Sequence, residues 1–286
     1  MPELSYVIIN YNDAGRLPRA VASAALTAQA AGYSYEIWVV DNASLDHTPQ
    51  VLAALEEALG PRLRVIRLEH NLGTTRSRNL ALARSSGRLV CVMDSDAELL
   101  DAGQRRVDEL LTRFPEVGIV GPRILLPDGH TYDSAKLLPT LTDKLLKVPG
   151  ILLRTPTVNR DWYPDFPFPT TRPVHTAISC CWFFRRELFD LVGPLDEDIF
   201  YAPEDVDWCL RSWRAGRAVV WYPHLRVLHH TRQTSHKNPF SRTARSHLAG
   251  LFHYWNKHNY CLSRRETARR YIDPLAARLA PALAAW

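Results

Sequence analysis

Leu89-Val90-Cys91-Val92-Met93-Asp94-Ser95-Asp96 is an apolar run that ends in two carboxylates one residue apart, and three earlier runs share its design. Leu4–Asn10 opens into Tyr11-Asn12-Asp13-Ala14-Gly15, Glu36–Asp41 into Asn42-Ala43-Ser44, and Leu63–Leu68 into Glu69-His70-Asn71-Leu72-Gly73. Continuous apolar strands of this kind are buried on both faces, as in parallel sheets, and a polar turn after each is the entry to a βαβ unit. The intervening segments have helical spacing. Leu17, Ala20, Val21, Ala24, Ala25 and Ala28 recur on one face and stop near Gly32; Val51, Leu52, Leu55 and Leu59 form the next face, with Asp46 or Thr48 as its cap. A third helix from Thr74 carries Arg76 and Arg78 in its first turns. Cations there oppose the helix dipole and imply an anionic neighbour. A fourth helix, about Ala102–Phe114, and a fifth strand, Val117–Gly121, complete a β-α alternation of some 120 residues. The pattern predicts an α/β fold: a mostly parallel, Rossmann-like twisted sheet flanked by helices, with its ligand at the carboxyl ends of the strands.

After Pro122 the pattern changes. Eight prolines fall between Pro127 and Pro173, among the aromatics Trp162, Tyr163, Phe166 and Phe168. Such a stretch is read as an irregular acceptor-side insertion, with a short helix at Leu141–Leu146. Ala177–Phe184 reads as one buried strand and Arg185–Val192 as a short helix. In Phe200–Leu210, Pro203 suits a first helical position, and Glu204, Asp205 and Asp207 suit the positive end of the helix dipole. Strands follow at Arg217–Tyr222 and Arg226–His230. Beyond Pro239 the chain reads as a helical C-terminal extension, with Leu248, Leu251, Phe252 and Trp255 on one face. The last segment sets Tyr271, Leu275, Leu279 and Leu283 against Arg269, Arg270 and Arg278. The expected division is residues 1–122 for a donor-binding half, 123–238 for an acceptor-side and catalytic half, and 239–286 for the basic extension.

Charge is unevenly spread. Residues 211–286 carry 14 Lys and Arg against Glu266 and Asp273 alone, although the whole chain is only +5. Such a segment suits an anionic membrane surface, a phosphate-bearing acceptor or nucleic acid; membrane contact is preferred here, nucleic acid is not expected, and a homodimer through the same helices is the alternative. No basic-then-apolar leader is visible, and no run approaches the roughly 18–20 apolar residues of a membrane span. Five cysteines without a Cys-x-x-Cys fit reduced thiols. These features predict a cytoplasmic protein, at the inner face of the cell membrane if the basic segment docks there.

A parallel sheet would bring Asp41, Asp94, Asp96 and the pair Glu204-Asp205 together, with His229-His230 following. Carboxylates and an imidazole about a divalent ion, with another carboxylate as base, suit group transfer from a nucleotide diphosphate. A sugar nucleotidyltransferase would need a Gly-rich, Lys-containing phosphate loop near the first strand, and residues 10–16 have only Gly15. A Rossmann oxidoreductase would need Gly-x-Gly-x-x-Gly after a strand, and none is present. A non-catalytic sugar- or polymer-binding module is countered by the intact Asp94, Asp96 and Asp205.

Taken in order, Val-Ile-Ile-Asn-Tyr-Asn (7–12), Val-Val-Asp-Asn-Ala-Ser (39–44), Asn-Leu-Gly (71–73) with Arg78-Asn79, Asp94-Ser95-Asp96, Ser179–Arg186 and Glu204-Asp205-Val206-Asp207 resemble one family over residues 4–260. The chain is similar to inverting nucleotide-sugar glycosyltransferases of family two, with the GT-A fold, and most to the rhamnosyltransferase-like branch. The resemblance implies a nucleotide-diphosphate sugar donor, dTDP-rhamnose the favoured one, and a carbohydrate or lipid-linked acceptor. It implies donor contacts from Asn10, Tyr11, Asp41, Arg78, Asp94 and Ser95, with Asp94 toward the ribose. Asp96 and His229, after Val227-Leu228, would hold Mg²⁺ or Mn²⁺. Asp205 resembles the catalytic base, with Glu204 orienting it or touching the acceptor. Ser179, Cys180 and Trp182 are the expected acceptor contacts, Ser179 standing where the family commonly has Gly.

Overall fold

The computed structural model describes every residue except 154, 156, 158 and 232–241. The chain runs β1 (Leu4–Asn10), α1 (Leu17–Ala30), β2 (Tyr35–Asp41), α2 (Thr48–Leu59), β3 (Leu63–Arg67), α3 (Gly73–Leu82), β4 (Leu89–Asp94), β5 (Ala97–Leu99), α4 (Gln104–Arg113) and β6 (Val117–Leu125). It continues through β7 (Ala135–Lys136), α5 (Leu141–Leu153), β8 (Arg172–Pro173), β9 (Thr176–Ala177), β10 (Cys181–Arg185), α6 (Arg186–Val192), α7 (Glu204–Arg214) and β11 (Ala218–His229). Three helices end it: α8 (Arg242–His258), α9 (Arg265–Tyr271) and α10 (Asp273–Ala284).

The main sheet has the order β3-β2-β1-β4-β10-β6-β11-β5, with β8 added to β11. Strands β1 to β4 are parallel neighbours, as the alternation predicts. The fifth strand of that series is displaced. β6 does not join β4, because β10 lies antiparallel between them, pairing Cys181 with Met93 and Phe183 with Val120. Three further expectations change. The apolar run 177–184 is broken at 178–180, so β9 and β10 belong to different sheets. The two strands expected at 217–222 and 226–230 are one, β11, whose register shifts between Tyr222 and Arg226 around Pro223; proline cannot donate to a ladder and is accommodated at such an irregularity. The helix expected at Leu141–Leu146 extends to Leu153. The boundary expected at 122/123 falls within β6, so one sheet spans both halves, and that at 238/239 lies outside the described residues.

Beneath β10 and α7 the core is aromatic. Trp182, Trp208, Trp213 and Trp221 are fully buried, and Trp182 stacks on Trp208 with ring centroids 5.6 Å apart. Each indole buries roughly 150–250 Å², about 4–6 kcal/mol apiece at 25 cal/mol per Å². The C-terminal helices fold back onto this body. Leu279 and Leu283 of α10 are buried, Trp286 meets Phe114 edge to face, and Arg278 pairs with Glu116 at 2.9 Å. The apolar face of the last segment is therefore occupied by packing. Among the described residues no helix is long and apolar enough to cross a membrane, and all five cysteines are free thiols.

Candidate active site

The carboxyl ends of β1 and β4 and the end of β11 open into a cleft of about 930 Å³, closed on its far side by the start of α7. Tight backbone contacts fix its rim. Gly73 has φ +82°, and a methyl group there would meet the Phe200 carbonyl oxygen at 2.1 Å; only glycine fits both demands. The next two residues tie α3 to the loop that leads into α7, through Thr74 N–H to Phe200 O at 2.7 Å and the Thr75 hydroxyl to Ile199 O at 2.6 Å.

One wall is built from β4, β5 and β11. Asp94 ends β4, while the Asp96 carbonyl accepts the His230 N–H at 2.9 Å, which aligns His229 beside it. His229 Nε2 is 3.2 Å from Asp96 Oδ1, and single ligand atoms of Asp94, Asp96 and His229 all lie within 4.8 Å of one another. Burial raises the Asp94 pKa, with Arg78 pulling against it and Asp96 adding to it. Burial also opposes ionisation of Asp96, but bonding to His229 outweighs it and the net shift is downward. Burial works against a charge on His229, yet Cys180 and the Asp96 carboxylate lift the ring to about 11. Two carboxylates this close repel, which a cation between them would relieve. Two hard carboxylates and one imidazole at this spacing fit Mg²⁺ or Mn²⁺. His230 turns away, its Nε2 2.8 Å from Glu98.

The opposite wall is the first turn of α7. Arg78, 1% exposed, joins the two: its guanidinium donates to Asp94 Oδ1 at 2.5 Å, to Glu204 Oε1 at 2.9 Å and to the Ser179 hydroxyl at 2.8 Å. The anions that the basic start of α3 implied are therefore the protein's own. Burial, and then Asp205, push Glu204 up to about 8 against the pull of Arg78 and Ser179. Asp205 is raised as well, again by burial, and is drawn back by the Val206 N–H and by Lys136. Two acids so close titrate as a pair. Asp207 has a different task. Its buried carboxylate takes Arg211, Lys257 and His258 at 2.8 Å each, and so pins α7 to α8.

Of the residues singled out in the sequence, Tyr11, Arg78, Asp94, Ser95, Asp96, Ser179, Cys180, Glu204, Asp205 and His229 line this one cleft. Three do not reach it. Asn10, 0% exposed, spends its amide on the Ser44 and Thr48 hydroxyls. Asp41, 5% exposed, accepts the Ser44 N–H at 3.2 Å and stiffens the turn below the cleft floor. Trp182, 1% exposed, points into the aromatic core and donates to Ala177 O, so acceptor contact does not fit it. Side chains that the sequence reading missed also line the cleft: Asn42 and Asn71, bonded to each other at 3.0 Å, and Tyr132 and Tyr201. The Asn pair follows strands β2 and β3 and was visible as turn residues at strand ends; Tyr132 lies in the proline-rich stretch, where no periodicity marks it.

A model of "Glycosyl transferase family 2" matches residues 5–193. The N-acetylglucosaminyl-diphospho-decaprenol L-rhamnosyltransferase of Mycobacterium tuberculosis (strain ATCC 25618 / H37Rv) is 30% identical over 90% of this chain and 85% of its own length. The O-antigen biosynthesis protein RfbC of Myxococcus xanthus is 29% identical over 80% of this chain but only 17% of its own. Among solved structures, GalNAc-T7 with UDP, GalNAc and Mn²⁺ superposes with a TM-score of 0.64 at 15% identity, over 97% of this chain and 58% of that one. S. aureus TarS 1-349 in complex with UDP gives 0.53 at 16%, over 95% and 75%. These two likenesses bear on the fold, which is GT-A. The family match and the mycobacterial relative bear on kinship: the chain belongs to glycosyl transferase family 2 and is a glycosyltransferase.

Proposed function

We propose that the enzyme moves a sugar, with inversion, from a nucleotide-diphosphate donor to an acceptor hydroxyl in a single in-line displacement that depends on Mg²⁺ or Mn²⁺. One observation carries this reading: a carboxylate–carboxylate–imidazole trio and a separate acid pair face one cleft, bridged by a single buried arginine. Asp96 and His229 would hold the cation, with Asp94 close enough to share it or to meet the ribose. Bound there, the cation neutralises the charge that develops on the departing diphosphate. Asp205 takes the proton from the acceptor hydroxyl as the oxygen attacks the anomeric carbon on the face opposite the leaving group. Burial, and then Asp205, push Glu204 up to about 8, and the two acids titrate as a pair. Arg78 neutralises Asp94 and fixes Glu204, and Tyr11 at the mouth meets the nucleotide.

The relative's name supports L-rhamnose, from dTDP-rhamnose, as the sugar, and a sugar on a lipid diphosphate as the acceptor. A lipid-linked acceptor of that kind supports a cytoplasmic enzyme working at the inner membrane face. The basic C-terminal quarter supports contact with anionic lipid through charge, since the apolar face of α10 is spent on packing. The test is nucleoside diphosphate release from a panel of nucleotide sugars with Mn²⁺ or Mg²⁺. Asp205→Asn should lower kcat by about 10²–10⁴-fold while donor affinity holds, and Asp96→Ala should remove the metal dependence of donor binding. Unchanged turnover in Asp205→Asn eliminates it as the base.

A further inference from the structure

Lys136 lies in β7, which pairs with β9 just before the chain turns through Ser179 and Cys180 into the cleft. It is half-buried, and among the described residues its ammonium meets no carboxylate within ion-pair distance. It rests instead on two aromatic rings, 5.9 Å from the centroid of Tyr132, which lines the cleft, and 5.6 Å from that of Trp162. Lys147 approaches the same indole at 5.9 Å. Lys144 and Lys147 both reach Asp161, at 2.9 and 2.7 Å. Two of the three ammonium groups thus share the Asp161 carboxylate and two share the Trp162 indole, which leaves Lys136 with ring faces for its closest partners. Contact of a half-buried cation with π faces is attractive but does not replace a counter-ion. Burial and then Lys144 lower the pKa of both Lys136 and Lys147, while Asp161 pulls the other way on each. The cluster touches the cleft through Tyr132, and the charge of Lys136 helps to draw the Asp205 pKa down.

We propose that Lys136, Lys144 and Lys147, gathered around Asp161 and Trp162 and meeting the cleft at Tyr132, form an anion site for a phosphate or diphosphate group carried by the acceptor. The proposal rests on the transferase reading above and adds the residues that would select an acceptor bearing phosphate. The metal trio would serve the donor's phosphates and this second site the acceptor's.

The test uses the full chain and two synthetic acceptors with the same N-acetylglucosamine and the same short alkyl chain, one joined through a diphosphate and one through a plain glycosidic oxygen. For Lys136→Met, the KM of the diphosphate acceptor should rise at least tenfold and that of the neutral acceptor stay within twofold, with Lys136→Arg restoring most of the loss. Equal losses on both acceptors would mean that Lys136 only tunes the base, and would overturn the site. Pyrophosphate titrated calorimetrically into protein saturated with dTDP and Mn²⁺ should bind the wild type and bind Lys136→Met at least tenfold more weakly; absence of wild-type binding overturns the proposal without any turnover being needed. Phosphatidylglycerol vesicles should not displace that pyrophosphate, and displacement would assign the cluster to lipid headgroups instead. If Lys136-dependent pyrophosphate binding is present but no nucleotide sugar is cleaved, the anion site stands and the transferase reading fails.

Discussion

Glu204 and Arg78 lie 2.9 Å apart, buried together, yet the acid is pushed up to about 8. Burial disfavours its charge, and Asp205 disfavours it again, while the guanidinium is shared with Asp94. The consequence for stability has a definite sign. An acid whose pKa is higher in the folded state than the ordinary 4.5 favours folding fully while protonated, below pH 4.5, and loses that contribution as the pH rises through about 8. Glu204→Gln, which cannot ionise, should flatten the fall in urea midpoint between pH 5 and pH 9 relative to the wild type. A steeper fall in the variant would mean that Glu204 is a stabilising ion-pair partner throughout that range. At this scale the sequence shows which acids matter, because each follows a strand or opens a helix. It does not show that Arg78 spans them, since Arg78 and Glu204 are brought together only by tertiary folding.

Helix α8 is held to the site by close backbone contact as well as by the Asp207 anchor. A methyl group on Gly250 would lie 2.3 Å from the Ala202 carbonyl oxygen, in the segment that leads into Glu204 and Asp205. Gly250→Ala therefore forces α8 and that segment apart. The expected result is a loss of about 1–3 kcal/mol, a fall in Tm of several degrees by calorimetry, and a lower kcat with near-normal donor affinity. Elements differ in how far they can be read in advance. Strands β1, β2 and β4 are legible because both their faces are buried, which leaves unbroken apolar runs. β5 is not, since three residues just after Ser95 look like more turn. The break at 178–180 is equally hidden: Ile178 and Cys180 are apolar enough to continue a strand, and only the reach of Ser179 toward Arg78 and Glu204 explains the departure. Trp182 was misread for the same reason, because nothing local tells which side of β10 faces α7.

Over the whole molecule, the positive C-terminal quarter meets acids from the rest of the chain: Arg278 meets Glu116, Lys257 meets Asp196 and Asp207, and Arg264 meets Asp143. Composition discloses the imbalance but not that part of it is neutralised inside the fold. Removing residues 273–286 would strip Leu279, Leu283 and Trp286 from the body, so the truncated chain should lose several degrees of Tm; an unchanged midpoint would show α10 to be an appendage. The strand order carries a consequence for synthesis. β10 must arrive before β4 gains its second neighbour, β6 holds β10 through only two residue pairs, and both the long parallel partner of β6 and the sole partner of β5 are supplied by β11. A nascent chain that has emerged only to residue 193, and so already contains the whole family match, still has β6 exposed along one edge and β5 unpaired. Such edges recruit other chains. A fragment ending there should aggregate where one carried past His229 stays dispersed, so the smallest piece that folds is set by the last strand to be made.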